Sequence, residues 1–93
     1  MALDVRANGR GTINSTLGAG GIVPSVTITS ADTRSFIAGS SSVVISVKNG
    51  VKDINGDIGL EWAILTNSTA QVSATRQIPA GSEITFDWIS IQD

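Results

Sequence analysis

The sequence predicts an all-β protein: a single compact antiparallel sandwich or jelly-roll-like barrel of six to eight strands, preceded by a glycine-rich N-terminal arm. Three observations carry this expectation. The chain is rich in Ser, Thr, Val, Ile, Gly and Ala and poor in Leu, Lys and Glu, the composition of strands and turns. Apolar and polar residues alternate with a period of two in several short segments, as they must where a strand buries one face and wets the other. Turn signals separate those segments at roughly eight to twelve residues, the spacing of sandwiches and small barrels.

The segment around which the others are organised is the last, residues 83–91. Ile84, Phe86 and Trp88 alternate with Glu83, Thr85 and Asp87, so this is the expected central strand. It carries two of the chain's four aromatic residues, and a core built without it would lack bulky side chains.

Taken in order, Leu3, Val5 and Ala7 alternate with Asp4 and Arg6, but Asn8, Gly9, Arg10 and Gly11 end that pattern at once. Residues 8–21 hold five glycines, which cost much backbone entropy to fix and bring few side chains to bury. The expected division is therefore an arm or extended segment over 1–21 and a β-sandwich domain over 22–93. Residues 22–29 form the first strand of that domain, with Pro24 confining its start to an edge. Residues 30–41 are polar and interrupted, with room for one helical turn capped by Ser30, and Phe36 and Ile37 plug the edge of the core.

Residues 42–49 form a strand with Val43, Ile45 and Val47 on one face. Asn49-Gly50 predicts a type I′ hairpin turn into residues 51–54, and the second Asn-Gly pair at 55–56 allows a short crossing segment instead. Residues 60–66 alternate Leu60, Trp62 and Ile64 against Glu61, Ala63 and Leu65; with both faces partly apolar, this reads as a strand covered on both sides. Residues 69–75 place the small Ala70, Val72 and Ala74 inward, opposite Trp62 or Trp88. Pro79, Ala80 and Gly81 make a tight turn in which the glycine takes positive φ.

The totals exclude several kinds of chemistry. Ninety-three residues make one domain of marginal stability. The absence of cysteine removes both disulfides and thiolate metal sites, which leaves self-association as the common route to more buried surface. The net charge is −2 and the six basic residues are scattered, so no phosphate-binding stripe and no nucleic-acid partner is expected. The first residues lack a signal-peptide pattern and no segment approaches about eighteen apolar residues, so a soluble protein made in the cytoplasm, with no membrane partner, is expected.

Residues 53–59 offer Asp53, Asn55 and Asp57 at spacings of two, hard oxygens of the kind that bind calcium, with Glu61 nearby. An EF-hand loop, however, wants Gly at its sixth position and Glu at its twelfth, where this chain has Ile58 and Ile64, so a plain turn is expected and no metal site. Without histidine or cysteine the ordinary nucleophile–base pairs cannot be assembled. A serine with Lys48 or Lys52 would need a lysine of lowered pKa at an exposed turn. Glu61 with Asp87 or Glu83 could supply paired carboxylates beside a tryptophan, but solvated strand faces are the expected use. Trp62 and Trp88 could stack on sugar rings if exposed; their registers with Ile, Leu and Phe point to core packing. No catalytic residue, cofactor or metal is expected.

Two resemblances bear on function. Residues 76–88 are similar to the end of a SET methyltransferase domain, where a Gly-Glu-Glu-Ile-Thr-Phe-Asp-Tyr run occurs. Here Trp88 replaces the tyrosine and the upstream Asn-His-Ser segment is missing, so what is taken from it is a turn leading into a strand. The glycine-rich segment over 8–21, the cysteine- and histidine-free Ser/Thr/Val body and the Ile78-Pro79-Ala80-Gly81 turn together resemble small structural proteins of tailed bacteriophages. These include capsid decoration or cement proteins and tail or fibre domains. That resemblance implies a non-enzymatic homotrimer in the virion, clamped on the major capsid (coat) protein or another virion protein, with residues 8–21 as an arm. A carbohydrate-binding module is the alternative from another class.

Overall fold

The computed structural model describes residues 4–16 and 22–92. Eight strands run in the order β1 (Asp4–Asn14), β2 (Ser25–Thr29), β3 (Ser41–Val47), β4 (Lys52–Asp53), β5 (Gly56–Asp57), β6 (Leu60–Thr66), β7 (Thr69–Ala74) and β8 (Glu83–Gln92). They form two three-stranded antiparallel sheets, β1-β8-β3 and β2-β7-β6, and a small β4-β5 hairpin. Only the β4-β5 and β6-β7 links stay within a sheet, so the chain winds back and forth across one shared core.

That core takes Ile13, Val43, Ile84, Phe86 and Trp88 from one sheet and Ile28, Ala70, Val72 and Ala74 from the other. The last strand is central, as its alternation predicts: β8 lies between β1 and β3 and buries Ile84, Phe86, Trp88 and Ser90. β7 is its counterpart, with Ala70, Val72 and Ala74 inward at every second residue. Phe36 is fully buried, deeper than a plug at the rim, and its ring lies 5.7 Å from that of Trp88. Residues 30–41 hold it there with turns and no helix. Ser30 Oγ accepts the N–H of Asp32, and Phe36 N–H reaches Asn67 O at 3.0 Å.

The glycine-rich start is where the structure departs most from the sequence reading. Residues 4–14 of the expected arm are a strand of the sandwich, paired with β8 along its whole length; residues 17–21 lie outside the described residues. Gly9 sits opposite Trp88 and Gly11 opposite Phe86. A Cβ on Gly11 would stand 2.5 Å from Phe86 Cζ, and one on Gly9 2.9 Å from Trp88 Nε1. These glycines supply room, so the rings of β8 can approach the neighbouring backbone more closely than a Cβ would allow.

One turn also differs. Neither Asn49 nor Gly50 takes positive φ, and no type I′ hairpin forms there. Instead the Asn49 side chain continues the β3-β8 ladder, donating to Glu83 O at 2.7 Å and accepting the N–H of Thr85 at 2.6 Å. The hairpin forms one step later, at Asn55-Gly56, where Gly56 takes a φ of 106°. The turn before β8 is as read: Ser82 N–H bonds Pro79 O at 3.0 Å and Gly81 has a φ of 82°.

Candidate interaction surface

The two sides of the sandwich are unlike. On one side β1 and β2 approach each other over a cleft of about 310 Å³ floored by Gly9, Gly11 and Trp88. Both strands there carry the features that discourage pairing with a further strand: Asp4, Arg6 and Arg10 and a bulge between Val5 and Ala7 on β1, and Pro24 ahead of the short β2.

On the other side lie β3 and β6, which have none of this protection beyond Glu61 and an irregularity near Leu65. The sequence pattern of β6 reads as a strand covered on both sides, and the structure overturns that. β6 is an edge strand with Glu61, Trp62, Ala63, Leu65 and Thr66 exposed. Trp62 is 39 % accessible and Leu65 53 %. The pattern fails because alternation reports only which residues share a face: Leu60 and Ile64 pack in part against the core, while Glu61, Ala63 and Leu65 on the other face are exposed.

The backbone of β6 is equally open. Thr75 donates its N–H to Gly59 O at 3.0 Å, and an antiparallel ladder alternates from there. Glu61 and Ala63 therefore turn their backbone groups to β7, and Leu60, Trp62 and Ile64 turn theirs away from the sheet.

The outer face of the β1-β8-β3 sheet is the second surface. Val44 stands opposite Ile89, and Val5 opposite Ile91; Val5 and Val44 are exposed and Ile89 is 39 % accessible. Next to this apolar patch, Asp87 is bridged by Arg10 Nε at 2.8 Å and Lys48 Nζ at 3.1 Å. The Arg10 hydrogen bond, then that of Lys48, holds the Asp87 carboxyl below its ordinary range, and Asp87 raises the Arg10 pKa in return. Apolar centre and charged rim are the anatomy of a protein-binding patch.

The candidates for chemistry are dispersed. Asp53 is taken up by Arg76, with Nε to Oδ2 at 2.7 Å and an Nη to Oδ1 at 3.0 Å. The same guanidinium donates to the carbonyls of Gly56 and Asp57, both at 2.8 Å. An arginine thus sits among the oxygens that a calcium ion would need, and its hydrogen bond lowers the Asp53 pKa. Asp57 pairs loosely with Lys52 at 3.9 Å. No cluster of three acidic or other metal-ligating side chains occurs among the described residues.

Glu83 and Asp87 share the outer face of β8, four residues or about 13 Å apart. Glu61 projects from the opposite sheet, so the carboxylate pair weighed for glycoside hydrolysis does not form. Lys48 engages Asp87 and Lys52 engages Asp57 in ion pairs with carboxylates. Trp88 is buried and Trp62 is open. No helix of the described residues is long and apolar enough to cross a membrane. Comparison with protein-family models, with curated proteins and with solved structures found no match.

Proposed function

We propose that this protein is a non-enzymatic structural protein that works by the surfaces it shares with neighbours, as a capsid decoration or cement protein of a phage particle. The observation that supports this most is the pair of uncovered surfaces on so small a body: the β6 edge and the apolar patch of Val5, Val44, Ile89 and Ile91. In this reading the patch, with its Arg10–Asp87–Lys48 rim, seats on the coat protein, and the open edge joins copies of the chain. Each added contact must break before the shell can come apart, and linking copies multiplies the effect. The phage resemblance implies three copies, whereas an open strand edge that pairs with its own copy joins two.

The test is to add purified protein to shells of its particle that lack it. Co-sedimentation and a higher shell melting temperature are expected, with both lost in Val44→Lys. No binding at tens of micromolar would sink the decoration reading. Recovery with isolated tails would favour a tail or fibre domain instead. The exposed ring of Trp62 keeps a carbohydrate-binding module as a second reading, which predicts glycan binding by the monomer that Trp62→Ala abolishes.

A further inference from the structure

We infer that β6 is a self-pairing edge: two copies of the chain join antiparallel along Leu60–Thr66 about a two-fold axis at Ala63. The open backbone groups of Leu60, Trp62 and Ile64 fit an occupant that is itself an extended strand. Which strand follows from the sequence of β6. With the axis at Ala63, the middle of the element, all seven residues overlap. Trp62 then faces Ile64 of the second copy twice over, an aromatic against a β-branched side chain, and these two residues exchange backbone bonds across the junction.

The charges agree with a second copy. Glu61 is the one charged residue of β6, and in this register it lies opposite Leu65 of the second copy. The two glutamates are then about 13 Å apart along the strand, beyond a Debye length at physiological salt. Ala63 meets Ala63 at the point of closest approach, where small side chains are needed. The same axis stands normal to both sheets and brings the two β3 strands side by side, and Ser41–Val47 has no charge to repel its copy. The opposite side is guarded against such pairing by Arg6, Arg10 and the bulge of β1 and by Pro24 ahead of β2.

The extent of the contact sets its strength. A seven-residue strand is about 23 Å long and a two-layer side about 20 Å deep, so roughly 900 Å² is covered over both copies. This is the low end of specific interfaces, and it predicts a dimer that dissociates in the micromolar range.

The proposal deepens the reading of the protein as one that works through shared surfaces, but its test needs no particle. Light scattering and sedimentation of the full chain should show a monomer–dimer equilibrium. A63K and A63E should each be folded monomers by circular dichroism, since Ala63 is exposed, while their equimolar mixture should recover the dimer through the opposed charges. Thr27→Lys, on the guarded edge, should leave the dimer unchanged. In the wild type, hydrogen exchange at the amides of Trp62 and Ile64 should slow at least tenfold between low and high concentration. A monomer at roughly 200 μM, well above the expected Kd, would overturn the pairing, as would a dimer that survives A63K, a trimer, or exchange at those amides that ignores concentration. A dimer without affinity for shells would sink the decoration reading alone.

Discussion

Replacing Gly11 by alanine separates the strand seen here from the flexible arm that the sequence describes. In an arm the change would stabilise or do nothing, because alanine narrows the unfolded ensemble by about 0.4–1 kcal/mol. In the structure the new Cβ would lie 2.5 Å from Phe86 Cζ and 3.0 and 3.1 Å from the two Cε atoms. Carbon atoms pack at about 3.5–4.0 Å, so the ring must retreat by about 1 Å. Phe86 is fully buried, and such overpacking costs about 1–3 kcal/mol. The net loss is about 1–2 kcal/mol, which for a domain of this size lowers Tm by roughly 5–15 °C. Thermal and urea unfolding of G11A, with Gly50→Ala as the control, measure it. Nothing lies within 4 Å of a Cβ at Gly50 and its φ is not positive, so that variant should match or exceed the wild type. The partner substitution Phe86→Leu should couple to G11A by at least about 0.5 kcal/mol. A G11A protein as stable as the wild type, or two strictly additive changes, would refute the packing of β1 under β8.

Deleting residues 4–14 should abolish the fold by circular dichroism, because it removes Ile13 from the core and strips one whole side of β8; a folded truncated chain would restore the arm. Trp88→Ala should cost about 3–5 kcal/mol in urea unfolding, much of a small domain's stability, while Trp62→Ala, already exposed in the monomer, should cost less than about 1.5 kcal/mol. Asp53 and Asp87 have pKa values below the ordinary carboxylate range through Arg76 and Arg10 respectively. The unfolded chain therefore takes up protons first, and stability should be flat above about pH 5 and fall as pH drops below about 4, with the decline flattened in the D53N/D87N double variant. Calcium at millimolar levels should leave Tm unmoved, since Arg76 already holds the oxygens around Asp53; a calcium-dependent rise would reverse that assignment.

How far the sequence could be read depended on whether a residue's role is local. The alternation in β3, β7 and β8 is local, and those strands stand where it places them. So is the Pro79–Ser82 turn, because a glycine with positive φ two positions after a proline closes on itself. Gly9 and Gly11 are different: within their own segment they look like flexibility, and only Trp88 and Phe86, nearly eighty positions away, turn them into clearance. Arg76 is a similar case. Nothing near it in the chain announces that its guanidinium will fill the oxygen-lined loop at Asp53.

β6 inverts this relation between local pattern and global setting. Its Leu60, Trp62, Ala63, Ile64 and Leu65 are the residues of a strand enclosed on both faces, and in one copy of the chain only Leu60 and Ile64 pack against the core, while Trp62, Ala63 and Leu65 are exposed. A strand made apolar for its own fold would be expected in the centre of a sheet, where β7 and β8 are. A strand at the rim of a solitary protein would be expected to carry charge, as β1 does with Asp4, Arg6 and Arg10. β6 follows neither rule within one copy, and satisfies the first once a second β6 lies alongside, since that move alone makes it the interior strand of a six-stranded sheet. Trp62→Lys therefore carries a signed expectation: a monomer within about 1.5 kcal/mol of the wild type in dilute solution, where the residue is 39 % accessible, and a loss of the stability that wild type gains on concentration. A wild-type Tm that does not rise over a hundredfold increase in protein concentration would remove the reason for so apolar an edge.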